Sequence, residues 1–441
     1  MAGLLDRWMA VILVIAVSAF AWNLIVILPV WPMTRGFEAE WVGWALAAHQ
    51  GFSFGEPYRW LFSLPPTEDI ASVTSYSPTA WVDPIFPFIH AGAVWLFDDH
   101  ARLAMAIFCL ALFLGTAIVA AMLSCHLAGR AAGLLCFLVF LINDVPLLGG
   151  DHKSSIISSA VLASFLLISA CLYFFKYFES FGIRDTIIFG VVMGVVCLTT
   201  SSCLILIPTM AVLFFFWVGS SSQRPKRALL FVLAAAATLS PWIARNYLEF
   251  GHLVPVRSGG GQITHMSTVA MAAVTSGNPD SSSIPKVPWQ ADSELDAIVR
   301  IVRGRGTEAR AELEGWQLKI LSNLPDAAAM NEVERDQVLM KQAVNLVFDN
   351  PGFFIRTALY KQMVFWAQPG AIVGAFTTIG VALSFWFAVK DRRIAVLLVL
   401  GLAYAFPFTI LVAFFYRYRE PIEPILIVLS SVSLAKFRGD R

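Results

Sequence analysis

Long apolar runs recur along this chain and restrict what it can fold into. The first, MAVILVIAVSAFAWNLIVILPV at residues 9–30, contains no charged side chain. About 20 apolar residues are needed for a helix to cross the hydrocarbon core of a bilayer. Because lipid offers no hydrogen bonds, a segment that spans it must satisfy its own backbone polar groups. The sequence therefore predicts an all-α polytopic membrane protein.

The composition agrees with this class. Of the 441 residues, 58% are hydrophobic and 14% are charged, whereas an ordinary soluble domain has about 25% charged residues. The net charge of +1 gives no basis for a nucleic-acid partner. The six cysteines lie in or beside apolar runs without a CxxC pair, so we predict neither a disulfide framework nor a zinc site.

The apolar runs predict about ten transmembrane helices. Since the first run is longer than the apolar core of a signal peptide, we interpret it as a retained helix. The predicted spans are residues 9–30, 101–125, 132–148, 155–174, 187–200, 203–218, 229–243, 371–388, 394–415 and 421–435.

Lysine and arginine in the short loops predict the orientation. Five basic sites fall on one side of the membrane, which the positive-inside rule assigns to the cytoplasm, together with both chain termini. These sites are Arg130, Lys176 with Arg184, residues 219–228, residues 389–393 and the C-terminal tail. The chain then divides into an N-terminal transmembrane module (1–243) with a first outward loop (31–100), an outward periplasmic loop (244–361) and C-terminal transmembrane helices (362–441).

Two short segments of the first outward loop predict helices along the outer membrane interface. Residues 84–97, PIFPFIHAGAVWLF, are too few to span a bilayer, and a span here would invert every later basic loop. Residues 38–50 form the second such segment. In the long outward loop, helical stretches are expected near residues 292–320 and 331–348, where they could cover a site or form a structural cap.

Two acids follow the first apolar run, in RGFEAEWVGWALAAHQG at residues 35–51. On a helix at about 100° per residue, Glu38 lies within the large apolar face and Glu40 on the small, polar side. A buried carboxylate is costly unless it has a partner or a task, which favours Glu38 as the functional acid and Glu40 as a solvated one. Alternatively, both acids only stabilise the helix start.

Three further outward segments carry polar side chains beside apolar spans. Arg245 and Asn246 follow a span, either as ligands or as part of an interfacial anchor. Arg417 and Arg419 precede the last span, where guanidinium groups suit a lipid phosphate, or anchor that helix. The loop GGDHKSS holds Asp151, His152 and Lys153, either in a site or simply in solvent.

Four segments together resemble the GT-C superfamily of membrane glycosyltransferases. They are similar to its bacterial protein-mannosyltransferase and aminoarabinose-transferase-like branch, a glycosyltransferase family 39-like group. Each pattern alone is weak, but the four occur in the family's order. The segments are GFEAEWVGWALAAHQGFSF, PTAWVDPIFPFIHAGAVWLF, PWIARNYLEFGHLVPV and YRYREPIEPILIVL.

The resemblance implies a GT-C fold and an inverting transfer of sugar from a polyprenyl-phosphate donor to a lipid, glycan or protein acceptor. The reaction would take place at the periplasmic face of a bacterial inner membrane. The first-loop acid, matched by Glu38, would be the general base, and the second-loop acid would be Asp151. This chain departs from the family pattern at Glu38, where Asp is commoner, and at Asp83 and Asp98.

The proposed leaving group is a lipid phosphate, which needs cationic stabilisation. Four outward cations are candidates for it: Arg245, Arg417, Arg419 and Lys153. Candidates for supporting roles are Glu40, His49, Asn246 and His152. No phosphate-binding or dinucleotide-binding glycine motif is present. No metal-ligand spacing is recognisable, so no metal ligands are assigned, and a divalent cation stays open as a cofactor.

Two other functions are compatible with part of the sequence. A transporter or flippase for lipid-linked glycans should carry charges in mid-membrane, whereas the charges here lie at span ends. An O-antigen ligase or polymerase-type enzyme, which uses a lipid-diphosphate glycan, fits the outward arginines but fits the early acid-bearing loop less well.

Overall fold

A computed structural model describes most of the chain. The described residues are 38–55, 76–143, 158–178, 180–217, 221–265, 330–349, 371–411 and 419–439, with single positions at 18, 351, 352, 354, 355, 358, 359, 362 and 366. The predicted first span (9–30) and the helical stretch expected near 292–320 lie outside them.

The described residues are almost entirely helical. The helices are α1 (Glu38–Ala47), α2 (Ile85–Phe97), α3 (Ala101–Ala128), α4 (Arg130–Asn143), α5 (Ser159–Lys176), α6 (Ile183–Thr199), α7 (Leu206–Trp217), α8 (Arg224–Phe250), α9 (Glu332–Asp349), α10 (Ala371–Ala388), α11 (Arg392–Leu411) and α12 (Glu423–Gly439). Strands β1 (Ser53–Gly55) and β2 (Tyr76–Pro78) pair in antiparallel fashion. The all-α membrane architecture predicted from the apolar runs is confirmed.

Each predicted span from residue 101 onward corresponds to a helix. Among the described residues, three helical segments could cross a membrane by length and composition, namely Ile85–Ala128, Ser159–Lys176 and Arg224–Phe250. Shorter apolar helices lie between them and near the C-terminus. In the long outward loop, α9 matches the stretch expected near 331–348.

Segment 84–97 forms a helix of its own. The helix ends at Asp98, where a φ of 45° separates α2 from α3. Large apolar side chains near the end of α2 remain exposed, among them Trp95 and Leu96. This apolar edge is what an interfacial helix presents to lipid.

Small residues let the helices of the bundle approach closely. Helix α6 packs along α8, and a Cβ on Gly190 would lie 2.6 Å from the Phe231 carbonyl oxygen. Helices α10 and α12 meet in the same manner at Gly380, which contacts Ser430. One turn further along α10, Ser384 and Ser433 share a hydrogen bond of 2.8 Å. Close backbone approach through small residues is the usual basis of helix association in lipid.

The contact at Gly380 gives a direct test of the α10–α12 packing. A Cβ on Gly380 would lie 2.1 Å from the Cβ of Ser430. Gly380→Ala should therefore push the helices apart and lower the free energy of unfolding by about 1–3 kcal/mol. Thermal unfolding in detergent measures this. Gly92→Ala, where a Cβ would meet nothing within 4 Å, is the matched control and should be neutral or stabilising.

Candidate functional site

Polar side chains from distant parts of the chain gather at one end of the bundle. We call it the loop-rich end and define it by residues 38–55, 76–84, 200–205, 251–265 and 419–422. The N–H of Ser201 donates to Asp83 over 2.8 Å, and the Ser164 hydroxyl donates to the Glu420 carbonyl over 2.8 Å. The predicted outward loops therefore meet at the same end.

Arg245 fastens the end of α8 to the first outward loop. Its guanidinium donates to the carbonyl oxygens of Thr79 at 2.7 Å and Phe52 at 2.9 Å. It also lies over the rings of Phe52, Trp242 and Phe250 at 5.1–5.5 Å. Since internal carbonyls and rings surround this guanidinium, the structure gives the predicted phosphate ligand Arg245 a structural role. A contact with phosphate remains untested.

Asn246 and Trp242 hold the chain reversal that follows α8. The Asn246 amide donates to the carbonyl of Val254 at 3.0 Å, and the Trp242 indole donates to that of Val256 at 2.6 Å. Gly251, with φ of 72°, ends the helix. The pattern PWIARNYLEFGHLVPV is thus accounted for by these contacts, and Asn246 supports the fold around the site.

Arg419 is fully buried and belongs to an internal ion pair. Its guanidinium pairs with the Glu423 carboxylate one helical turn later. It also donates to the Thr377 hydroxyl at 2.9 Å and the Trp366 carbonyl at 3.1 Å. Phosphate binding by Arg419 would require this pair to open. Arg417, the other arginine predicted there, lies outside the described residues.

Glu40 does not face solvent, and the predicted solvated position is wrong. Its side chain is 2% exposed and forms an ion pair with Arg102 at the start of α3. Burial raises the pKa of the Glu40 carboxyl, and Arg102 offsets part of that rise. A helical wheel considers only the neighbours within α1, whereas the partner of Glu40 is Arg102 of α3. Glu38 is the first residue of α1, and its role as general base is untested.

Removing Arg102 should leave a buried, uncompensated carboxylate. Because the folded protein raises the pKa of Glu40, it holds the proton more tightly than the unfolded chain, so its stability falls as pH rises through that raised pKa. Arg102→Met should cost about 3 kcal/mol of unfolding free energy at pH 8 and clearly less at pH 5. Chemical denaturation at both values measures this. The double variant with Glu40→Leu should recover most of the loss, and failure to do so would contradict the buried-pair account.

Of the other predicted site residues, one is exposed and three lie outside the described residues. His49 is exposed in the turn after α1, and its ring centroid lies 6.3 Å from that of Trp95. Asp151, His152 and Lys153 lie outside the described residues. No group of three or more His, Cys, Asp or Glu side chains suited to a metal ion occurs in the part of the chain that the structure describes.

The structure adds an arginine that the sequence interpretation missed. Arg257 lies over the Trp81 ring at 5.6 Å, and one terminal nitrogen is 3.7 Å from the Asp83 carboxylate. Its Nε donates to the Ser258 carbonyl at 3.2 Å. The Arg257 side chain is 20% exposed, whereas the Arg419 side chain is fully buried. A guanidinium at a partly exposed position can bind an anion.

Asp83 joins this arginine to the turn between α6 and α7. Burial raises the pKa of the Asp83 carboxyl, and Arg257 and the Ser201 N–H offset part of that rise. Beside this turn, the Tyr404 and Ser202 hydroxyls share a hydrogen bond of 2.8 Å. The sequence signal that could have identified Asp83 as a site residue is that it departs from the GT-C pattern, which the surrounding segment otherwise resembles.

Comparisons with known proteins bear on the fold. No protein-family model matches the sequence, and no curated protein matches it. Among solved structures, the chain is similar to the apo form of the Archaeoglobus fulgidus oligosaccharyltransferase, with a TM-score of 0.50 and 12% identity over 94% of this chain. A complex of the archaeal enzyme, named AglB, with an inhibitory peptide and a dolichol-phosphate gives 0.49 and 12% over 96%.

This chain spans about half the length of those structures, 50% in both cases. At such low identity the similarity concerns the fold, and the chain has the GT-C fold that its motifs implied. The bacterial branch suggested by the motifs stays a prediction.

Proposed function

We propose that this protein is an inverting glycosyltransferase that uses a polyprenyl-phosphate-linked sugar donor. Transfer to the acceptor would take place at the loop-rich end, on the outer face of a bacterial inner membrane. The observation that carries the proposal is Arg257, a partly exposed guanidinium held at that end by Trp81 and Asp83. The GT-C fold, shared with a protein named as an oligosaccharyltransferase, supports glycosyl transfer.

Arg257 suits the leaving phosphate better than Arg245 and Arg419 do. As the glycosidic bond breaks, negative charge grows on the departing phosphate oxygen, and a preplaced cation stabilises that charge. Arg245 donates to two backbone carbonyls of distant segments, and Arg419 is fully buried in its ion pair. Arg257 donates to the adjacent Ser258 carbonyl, pairs with Asp83 at 3.7 Å and stays 20% exposed. Arg417 and Lys153 remain proposed members of the same cationic set.

A carboxylate base completes a single-displacement reaction. It removes the proton from the acceptor hydroxyl while the phosphate departs from the opposite face of the sugar. We assign this role to Glu38, with Asp151 as the second acid. Glu40 would support Glu38 indirectly, since its ion pair with Arg102 holds α1 against α3.

The distribution of basic residues supports the proposed orientation. Lysines and arginines border the helix ends opposite to the loop-rich end, as the positive-inside rule requires of a cytoplasmic side. They include Lys176, Arg184, Arg224, Lys226, Arg227, Lys390, Arg392, Arg393, Lys436 and Arg438. The loop-rich end would then face the periplasm.

The first test is substitution of Arg257. Arg257→Ala should lower kcat for transfer from a polyprenyl-phosphate sugar by about 100-fold, as loss of one oxyanion donor does. Arg257→Lys should restore only part of the rate, because lysine keeps the charge but loses the planar fork. A radiolabelled transfer assay on purified protein measures both. Arg438→Ala, exposed at the opposite end, is the control, and an unchanged rate in Arg257→Ala would refute the assignment.

The second test compares the two acids of α1. Glu38→Gln should abolish transfer while preserving donor binding, because the amide cannot accept the acceptor's proton. Glu40→Gln should instead lower thermal stability, with the remaining folded protein still turning over. Single-turnover rates normalised to folded protein separate these effects. Full activity in Glu38→Gln with loss in Glu40→Gln would reverse the assignment, and donor movement across the bilayer without transfer would favour a flippase.

A further inference from the structure

Helix α9 returns to the loop-rich end and brings two buried carboxylates to the segments that hold Arg257. The Glu332 carboxylate accepts hydrogen bonds from the Thr79 hydroxyl at 2.8 Å, the Ala80 N–H and the Ser258 hydroxyl at 3.0 Å. Ser258 directly follows Arg257, and Ala80 directly precedes Trp81. The Glu332 carboxylate therefore connects the Ser258 hydroxyl, next to Arg257, to the Ala80 N–H, next to the Trp81 ring on which Arg257 lies.

One turn later, Asp336 binds the backbone on the other side of Ser258. Its carboxylate accepts from the Gln262 N–H at 2.8 Å, and the N–H groups of Gly259 and Gly261 also stabilise it. Glycine is required here, since a Cβ on Gly261 would lie 1.9 Å from the Asp336 carbonyl oxygen, and Gly259 has φ of 96°. The turn carrying Arg257 is thus fitted closely against α9.

The start of α9 is fixed independently of these carboxylates. The Asn331 side-chain oxygen accepts from the N–H groups of Val333 and Glu334, both at 3.0 Å, which caps the helix. The Asn331 amide donates to the Phe250 carbonyl at 3.3 Å. Val333 also belongs to a small apolar cluster with Ala80, Phe250 and Val254. Because α9 has this separate anchor, Glu332 and Asp336 are not needed merely to form the helix.

We propose that Glu332 and Asp336 are positioning residues for Arg257. They act through Ser258, the 259–262 backbone and Thr79–Ala80, and they hold the guanidinium where the leaving phosphate forms. This inference rests on the proposed function, because it takes Arg257 as the phosphate ligand.

The electrostatic environment makes these contacts costly to lose. Burial raises the pKa of both carboxyls, and the hydrogen bonds just described offset part of that rise. The charge of Arg245 lowers the pKa of Glu332, and the charge of Arg257 lowers the pKa of Asp336. In Glu332→Gln the new NH₂ group either meets the Ala80 N–H or makes the Thr79 hydroxyl accept instead of donate, and the charge that strengthens these hydrogen bonds is lost. Arg257 would then keep its charge but lose its fixed placement.

A double-mutant cycle tests the proposal. Glu332→Gln and Asp336→Asn are each made alone and together with Arg257→Ala, and kcat and KM for transfer are measured per folded protein. If the carboxylates act through Arg257, Glu332→Gln should lower kcat about tenfold in the parent and less than about twofold when Arg257 is already alanine. Asp349→Asn, an exposed carboxylate on the same helix, should change neither constant.

Equal losses of kcat in both backgrounds would mean that Glu332 only supports the fold, and this would overturn the inference while leaving the proposed function intact. An unchanged kcat in Arg257→Ala would overturn both. If Glu332→Gln does not fold, Ser258→Ala removes one of the three donors to Glu332 and enters the same cycle. It should then lower kcat about threefold in the parent and leave the rate unchanged in Arg257→Ala.

Discussion

The contact between Arg245 and two backbone carbonyls determines how the loop-rich end is assembled. The guanidinium reaches from the end of α8 to Phe52 beside β1 and to Thr79 beside β2. Thr79 in turn donates its hydroxyl to Glu332 of α9. Thr79 therefore contacts α8 through its carbonyl and α9 through its hydroxyl. Trp81 and Asp83, which contact Arg257, follow Thr79 closely in the chain.

The helices of this fold were predictable because membrane spans are determined by local sequence. A run of apolar residues must become a helix in lipid whatever its neighbours are, so the predicted spans from residue 101 onward correspond to helices. Helix α9 was also expected, because its apolar side chains recur at helical spacing. The amphipathic segment 84–97 was separable from α3 because its length is too short to span.

The site was less predictable because its pairings join residues far apart in the chain. Glu40 appeared solvated when only α1 was considered, yet its partner Arg102 comes 62 residues later. Arg245 and Arg419 lie beside helix ends, as expected, but their acceptors are backbone carbonyls, a hydroxyl and a carboxylate that the charge pattern of the sequence does not indicate. Arg257 was missed because its suitability as an anion ligand depends on its partial exposure and on its contacts with Trp81 and Asp83, which arise only in the folded protein.

The contacts of α9 also bear on how this protein could change without losing its fold. The Gln262 N–H and the Asp336 carboxylate are joined by a hydrogen bond although 74 positions separate them. The chain between them is therefore closed at its base, and doubling the length of a closed loop costs only about 0.6 kcal/mol. A change in the number of residues between Gln262 and Asp336 would therefore cost little closure entropy at this contact.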